Sequence, residues 1–194
     1  MLFTETSLSG AFVVDLERHE DERGFFAREF CEKEFAAHGL KPVTAQSSLC
    51  FNTKAGTLRG MHFQYPPATE AKLVRCLRGA AIDIVVDLRP ESPTYLKHVA
   101  VELDEDNWRA LYLPERFAHG YQTLSDNTVM SYHMSAFYTP EAEGGLRHDD
   151  PALGLEWPMS VAAISDKDRS FKTHESIQQT LKWRMSNREC REAV

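Results

Sequence analysis

The sequence has few cysteines, and they take none of the spacings typical of metal sites. The four residues Cys31, Cys50, Cys76 and Cys190 are scattered and form no CxxC pair. They therefore provide no zinc motif and suit a reducing compartment, so we expect a cytoplasmic location.

Long apolar runs and basic runs are also lacking. No segment approaches the ~18 uninterrupted apolar residues of a transmembrane helix. A secretory signal would begin with basic residues, but no Lys or Arg precedes Arg18. With 22 basic against 29 acidic residues, the net charge is −7. We therefore expect neither a membrane nor a nucleic acid as partner. Since no GxGxxG motif occurs, a bound nicotinamide is not expected either.

The composition is that of a folded protein. Of the 194 residues, 42% are hydrophobic and 26% are charged, which favours one globular domain over a disordered chain. We expect a single domain over residues 1–194, with a core over about residues 10–170 and a C-terminal helical extension over residues 171–194.

Short runs rich in β-branched and aromatic residues alternate with turn signals. Because no long helices separate these runs, they predict an all-β antiparallel sandwich or barrel. The predicted strands are Ala81–Leu88, Val99–Leu103, Leu111–Leu113 and Val129–Tyr138, and the predicted helices are Glu32–Gly39 and Ser176–Arg188.

Several segments carry side chains suited to chemistry, although each has an ordinary structural interpretation as well. In LRGMHFQ, a bend at Gly60 would bring Arg59 near His62. The segment PERFAHG contains His119, and EAKLVR places Lys72 at the start of a predicted strand. By itself, SDKDR has the composition of a charged loop, and DERGFF that of a turn before an edge strand. Two tyrosines spaced by six residues, Tyr132 and Tyr138, would share one face of a strand.

In order and spacing, these segments together resemble the dTDP-4-dehydrorhamnose 3,5-epimerase family, the cupin-fold epimerases of deoxysugar biosynthesis. The resemblance covers about residues 20–170 and rests on DERGFF, GTLRGMHFQ, EAKLVRC, DIVVDLRPESPTY, YLPERFAHGYQTL, SYHMSAFYTPEAEG, DDPALGLEWP and SDKD. It implies an antiparallel jelly-roll (cupin) barrel with a few short helices. It also implies a homodimer in which the N-terminal segment of each subunit enters the active site of the other.

The resemblance assigns roles to individual residues. It makes His62 the general base, Asp168 the carboxylate that supports it, Tyr132 the general acid and Lys72 the residue beside the sugar ketone. The implied substrate-binding residues are Arg23, Arg28, Gln46, Ser48, Arg59, His119, Tyr138, Glu143 and Lys167, with Tyr138 stacking on the base.

Two of these positions depart from the family pattern. Arg28 stands where well-known members have Glu, and a QSS run at residues 46–48 stands where they have QDN. We expect the extra cation of Arg28 to bind the diphosphate more firmly. We also expect the shorter Ser48 hydroxyl to discriminate less between nucleotide bases. The alternative is that Arg28 pairs at the surface with Glu29 or Glu22.

The chemistry explains why such residues make an epimerase. In a nucleotide-linked 4-keto-6-deoxyhexose, the C3 and C5 protons are acidic because the C4 carbonyl accepts the charge as an enolate. Inversion needs a base on one face, an acid on the other and a cation at the ketone oxygen. The expected reaction inverts C3 and C5 of dTDP-4-dehydro-6-deoxy-D-glucose, and no redox cofactor is needed because no hydride moves.

Three alternatives remain open. The enzyme could invert only C3 or only C5, on a different nucleotide sugar. It could be a metal-dependent cupin enzyme using His62, Gln64, Glu70 and His119, although a neutral amide is a weak ligand and we expect no metal. It could be a non-catalytic sugar-binding cupin, which would leave the four implied catalytic residues unexplained.

Overall fold

The computed structural model describes residues 1–186 of the chain. Its strands are β1 (Leu2–Glu5), β2 (Phe12–Asp15), β3 (His19–Asp21), β4 (Gly24–Phe26), β5 (Gln46–Asn52), β6 (Leu58–Gln64), β7 (Lys72–Arg78), β8 (Ala80–Asp87), β9 (His98–Asp104), β10 (Ala110–Leu113), β11 (Phe117–Thr123), β12 (Thr128–Met134) and β13 (Glu143–Gly145). Its helices are α1 (Glu32–Ala37), α2 (Asp166–Arg169) and α3 (His174–Ser186), with a 3-10 turn at Pro140–Ala142.

Two facing antiparallel sheets form the jelly-roll barrel, which confirms the predicted fold class. The six-stranded sheet has the order β1-β2-β10-β7-β12-β5, and the five-stranded sheet has the order β13-β6-β11-β8-β9. The short hairpin β3–β4 lies outside both sheets. No helix among residues 1–186 is long and apolar enough to cross a membrane.

Strand alternation divides the apolar side chains among three clusters. Val74, Val85 and Tyr121 belong to the cluster between the two sheets. Helix α1 covers part of the outer face of the six-stranded sheet through Phe35, and α3 covers the five-stranded sheet through Leu181. Because both faces of β8 and β11 are covered, these strands are buried almost throughout.

Most predicted elements are confirmed to within a residue or two, with two corrections. The strand predicted over Val129–Tyr138 ends at Met134. Ser135 leaves the sheet there, its N–H donating to the Ala71 carbonyl, so Tyr138 does not share a strand with Tyr132. The C-terminal helix begins at His174 instead of Ser176, and the last two residues of the predicted helix lie outside the described residues.

A bend in β6 at Gly60 positions two of the predicted site residues. His62 pairs with His119 and Arg59 pairs with Tyr121, so β6 uses one residue more than β11 over this stretch. Side chains three apart in a regular strand would face opposite sides, but the bulge turns both Arg59 and His62 into the barrel. Gly60 has φ +125°, and a Cβ there would lie 2.5 Å from the Gly120 Cα.

We expect Gly60→Ala to lower the free energy of unfolding by about 2–4 kcal/mol, through the positive φ and the backbone overlap together. Gly24→Ala is the matched control, because Gly24 has φ +124° but no neighbour within 4 Å of a Cβ. It should cost about 1 kcal/mol. Equal losses in denaturant unfolding of the two variants would show that close packing at the bend is unimportant.

Candidate active site

A cavity of about 310 Å³ opens between the two sheets. Its walls are built from both sheets and from the loops that close one end of the barrel. The lining residues are Gln46, Ser48, Arg59, His62, Phe63, Gln64, Glu70, Lys72, His119, Tyr121, Tyr132, Met134, Tyr138, Glu143 and Lys167. Most of the residues implied by the resemblance are therefore brought together, although they are distributed from residue 46 to residue 167.

The imidazole of His62 is oriented by a hydrogen bond with the Asp168 carboxylate. The imidazole Nε2 lies 2.7 Å from Asp168 Oδ1, and the other carboxylate oxygen accepts the Gly60 N–H at 3.2 Å. Asp168 is in the short helix α2, where the Ser165 hydroxyl accepts its N–H. Burial alone would raise the pKa of Asp168, but the hydrogen bonds and the charge of His62 hold it below its usual range.

Lys72 lies between an acid and a histidine. Its ammonium nitrogen is 3.0 Å from Glu70 Oε1 and 3.3 Å from His119 Nε2. The other nitrogen of His119 lies 3.4 Å from both oxygens of the fully buried Asp83. Burial, reinforced by the charge of Lys72, lowers the pKa of His119, so this imidazole is neutral at neutral pH.

The contacts of Glu70, His119 and Gln64 do not favour the metal alternative. Glu70 and His119 both contact Lys72. The Gln64 amide is occupied by the backbone of Ala68, Phe137 and Thr139. Within residues 1–186, no group of three or more His, Cys, Asp or Glu side chains is arranged to hold a metal ion.

Tyr132 faces the cavity from the sheet opposite His62. Burial, with a further contribution from Tyr121, raises the pKa of its hydroxyl well above the usual value, so the group is protonated at neutral pH. The Tyr121 hydroxyl donates to Asn52 Oδ1 at 3.2 Å, and the same oxygen accepts from Arg59 Nε at 2.9 Å. Asn52 thus connects the tyrosine pair to a cation of the cavity wall.

Polar contacts also connect the residues at the cavity mouth. Glu143 accepts from the Tyr138 hydroxyl at 3.2 Å and from Lys167 Nζ at 2.5 Å. The Tyr138 N–H donates to the Gln46 side chain at 2.6 Å. The ring of Tyr138 remains exposed, and Ser48 faces the cavity from the edge strand β5.

Two of the predicted substrate-binding residues lie outside this cavity. Arg23 is at the tip of the β3–β4 hairpin, 83% exposed, and pairs only with Asp21 of the same turn among the contacts described. Arg28 donates to Glu34 of α1 at 3.1 Å. The alternative of a surface pair is therefore correct in kind but wrong in its partner, which is Glu34 of α1 instead of Glu29 or Glu22.

With this geometry described, the chain can be compared with known proteins. The family model described as dTDP-4-dehydrorhamnose 3,5-epimerase matches residues 5–176. The chain belongs to this epimerase family. It is 41% identical over 171 residues to the dTDP-4-dehydrorhamnose 3,5-epimerase of Sinorhizobium fredii, with 88% of each chain covered. It is 36% identical over 163 residues to a dTDP-4-dehydrorhamnose 3-epimerase of Streptomyces niveus, covering 84% of this chain and 78% of the relative.

Among solved structures, the fold is similar to the dTDP-4-dehydrorhamnose 3,5-epimerase of Elizabethkingia anophelis. The TM-score is 0.88 at 35% identity, and the match covers 91% of this chain and 97% of the other. The family resemblance inferred from the sequence motifs is thus confirmed.

Three polar residues that contact the predicted site residues or each other are absent from the sequence-based prediction. Asp83, Asn52 and Tyr121 reach the site from β8, β5 and β11. Only Asp83 carries a sequence signal, since a carboxylate stands in the apolar strand AIDIVVDL. The other two are ordinary strand residues whose role depends on cross-sheet contacts.

For this family member we expect Asp168→Asn to lower the free energy of unfolding at pH 7 by about 1.5–3 kcal/mol, because a charged hydrogen bond is lost. Since its pKa is lower in the folded chain, the ionised carboxylate stabilises the fold above its unfolded pKa of about 3.9. This contribution disappears as the pH falls through the folded value. The difference from wild type should therefore shrink below about pH 4.

Asp149→Asn is the control for this measurement. The pKa of Asp149 is also lowered, by Arg147, but both side chains are nearly half exposed. Such a surface pair contributes roughly 0–1 kcal/mol. A loss for Asp168→Asn no larger than that of Asp149→Asn, or one that does not change with pH, would contradict the assignment.

Proposed function

We propose that this protein is an isomerase that inverts C3 and C5 of dTDP-4-dehydro-6-deoxy-D-glucose. One observation carries the proposal: His62 on β6 and Tyr132 on β12 line the same cavity from opposite sheets. A sugar ring between them would have a base on one face and an acid on the other, which is what inversion requires.

The first step is removal of a proton by His62. Asp168 accepts from Nε2, which leaves Nδ1 as the basic atom of the ring. The buried carboxylate also stabilises the imidazolium that forms. The electron pair of the broken C–H bond moves into the C4 carbonyl and gives an enolate.

The enolate is stabilised by Lys72, and the proton is returned by Tyr132. The Lys72 ammonium lines the cavity, so it can interact with the developing charge on the ketone oxygen. The Tyr132 hydroxyl is protonated at neutral pH because burial raises its pKa. Donation from this side completes the inversion. His62 then releases its proton to solvent and the Tyr132 phenolate takes one up, so the same groups can act at the second carbon.

The nucleotide end of the substrate would lie at the mouth. The exposed ring of Tyr138 offers a stacking surface for a base, and Arg59 supplies a cation to the diphosphate. The relatives from Sinorhizobium fredii, Streptomyces niveus and Elizabethkingia anophelis are all named as dTDP-4-dehydrorhamnose epimerases, which supports dTDP as the nucleotide. The surface pairing of Arg28 with Glu34 supports the alternative in which Arg28 makes no diphosphate contact in its own subunit.

We also propose a cytoplasmic location. Cys31, Cys50 and Cys76 are free thiols, as is usual in a reducing compartment. Burial raises the pKa of the Cys76 thiol to about 11, so this residue is unreactive at neutral pH.

We further propose that the protein is a homodimer whose β3–β4 hairpins exchange between active sites. Leu49 is 70% exposed on the outer side of the edge strand β5, and Phe51 is exposed beside it. On the same face, both terminal nitrogens of the buried Arg75 guanidinium lack a hydrogen-bond partner. A second copy would cover this face, and its hairpin would carry Arg23 toward the cavity.

A second candidate activity is inversion at C3 alone. It is favoured by the name of the Streptomyces niveus relative, a 3-epimerase. Both reactions use the same base and the same enolate, so the cavity suits either.

Proton NMR in D2O with dTDP-4-dehydro-6-deoxy-D-glucose tests the function. Deuterium wash-in at C3 and C5 is the expected result, since the Tyr132 hydroxyl that delivers the new hydrogen exchanges with solvent. Wash-in at C3 alone would establish the second candidate. Wash-in at neither carbon, under conditions in which the protein is folded, would overturn the proposal.

The roles of the base and the acid can be separated in the same assay. We expect His62→Ala to abolish exchange at both carbons. Tyr132→Phe should retain part of the exchange while blocking inversion, because loss of the acid leaves abstraction possible. Tyr95→Phe is the control, as Tyr95 contacts His174 outside the cavity and should react like wild type. Equal loss of exchange and inversion in Tyr132→Phe would indicate a positioning role instead.

Hairpin exchange predicts complementation between two inactive variants. A purified heterodimer of Arg23→Ala and His62→Ala would contain one site with both residues intact. It should regain about half of the wild-type activity, because a twofold dimer has two equivalent sites. The heterodimer of Arg59→Ala and His62→Ala is the control and should remain inactive, since both residues line one cavity. Absence of recovery in the first pair would exclude exchange.

A further inference from the structure

Glu70 is a carboxylate of the cavity wall to which the proposed reaction gives no role. It lies two residues before the first residue of β7 and lines the cavity. Its side chain is 10% exposed, and its Oε1 lies 3.0 Å from Lys72 Nζ. An ionised group in such a position requires a partner, and Lys72 is that partner.

The ammonium of Lys72 has two close partners in the cavity wall. It forms an ion pair with Glu70 Oε1 at 3.0 Å, and His119 Nε2 lies within hydrogen-bond distance at 3.3 Å. His119 can accept because its Nδ1 faces Asp83, which fixes the proton on that nitrogen. Glu70, Lys72 and His119 thus follow one another along the cavity wall, and Asp83 lies buried behind His119.

We propose that Glu70 is a positioning residue, which together with His119 holds the Lys72 ammonium where it can donate to the C4 oxygen of the substrate. This inference rests on the proposed function. It differs from a direct role in binding, because the carboxylate of Glu70 contacts Lys72 and acts through it. Loss of Glu70 should therefore affect the chemical step more than substrate binding.

The experiment compares Glu70→Gln with wild type in the deuterium wash-in assay. The amide keeps the shape of the side chain and removes its charge. We expect kcat for exchange to fall about tenfold or more, because the ammonium loses the charge that holds it in position, and KM to stay within about twofold. Thermal unfolding of the variant checks that it is folded.

A double-mutant cycle with Lys72→Met tests whether Glu70 acts through Lys72. In the Lys72→Met background, where residual exchange is followed over hours, Glu70→Gln should have no further effect. Glu143→Gln removes the carboxylate of the other lysine pair of the cavity and should act mainly on KM. Additive effects of Glu70→Gln and Lys72→Met, or a change mainly in KM for Glu70→Gln, would overturn the inference.

A measurement without substrate separates this inference from the proposed function. In ¹⁵N NMR, the Lys72 ammonium should give a slowly exchanging signal in wild type that broadens in Glu70→Gln. If wild type catalyses no exchange, the proposed function fails and this signal alone decides the position of Lys72. An identical signal in the two proteins would contradict the contact.

Discussion

The cavity depends on the Asp168 carboxylate, which contacts both the bend in β6 and the imidazole ring of His62. Asp168 accepts the Gly60 N–H with one oxygen and the His62 ring with the other. The first contact stabilises the bulge that turns Arg59 and His62 into the same cavity, and the second orients the imidazole. Because a one-residue change of register reverses the facing of a strand, the bulge in β6 determines which side chains reach the substrate.

Charge in the cavity is balanced within small groups. Lys72 is paired with Glu70, and Lys167 is paired with Glu143. This arrangement lets an acidic protein keep several cations in a confined space without the cost of unpaired buried charge. Arg59 is the exception among the cavity cations, since its described partner is the neutral Asn52. Since no described carboxylate pairs with Arg59, its charge would be available to the diphosphate of the proposed substrate.

Much of the fold could be predicted from local pattern. Runs such as AIDIVVDL predict strands because β-branched residues fit a pleated and buried surface, and β8 confirms this to within one residue. Gly39 follows α1 with φ +70° and donates its N–H to a carbonyl of the last helical turn. A glycine in this position commonly ends a helix. The prediction failed where a tertiary contact decided the boundary. Tyr138 continues an apolar run, yet the contacts of Ser135 with Ala71 end the strand before it.

The sequence by itself determined the types and spacing of His62, Lys72, Tyr132 and Asp168, and with them the family. Those features are local, and motif spacing records them directly. Only the tertiary structure decided the partners: Glu70 and His119 on Lys72, Asp83 behind His119, and Asn52 between Arg59 and Tyr121. These contacts depend on the register and facing of strands far apart in sequence. Periodicity within one strand carries no information about which residue lies across from it.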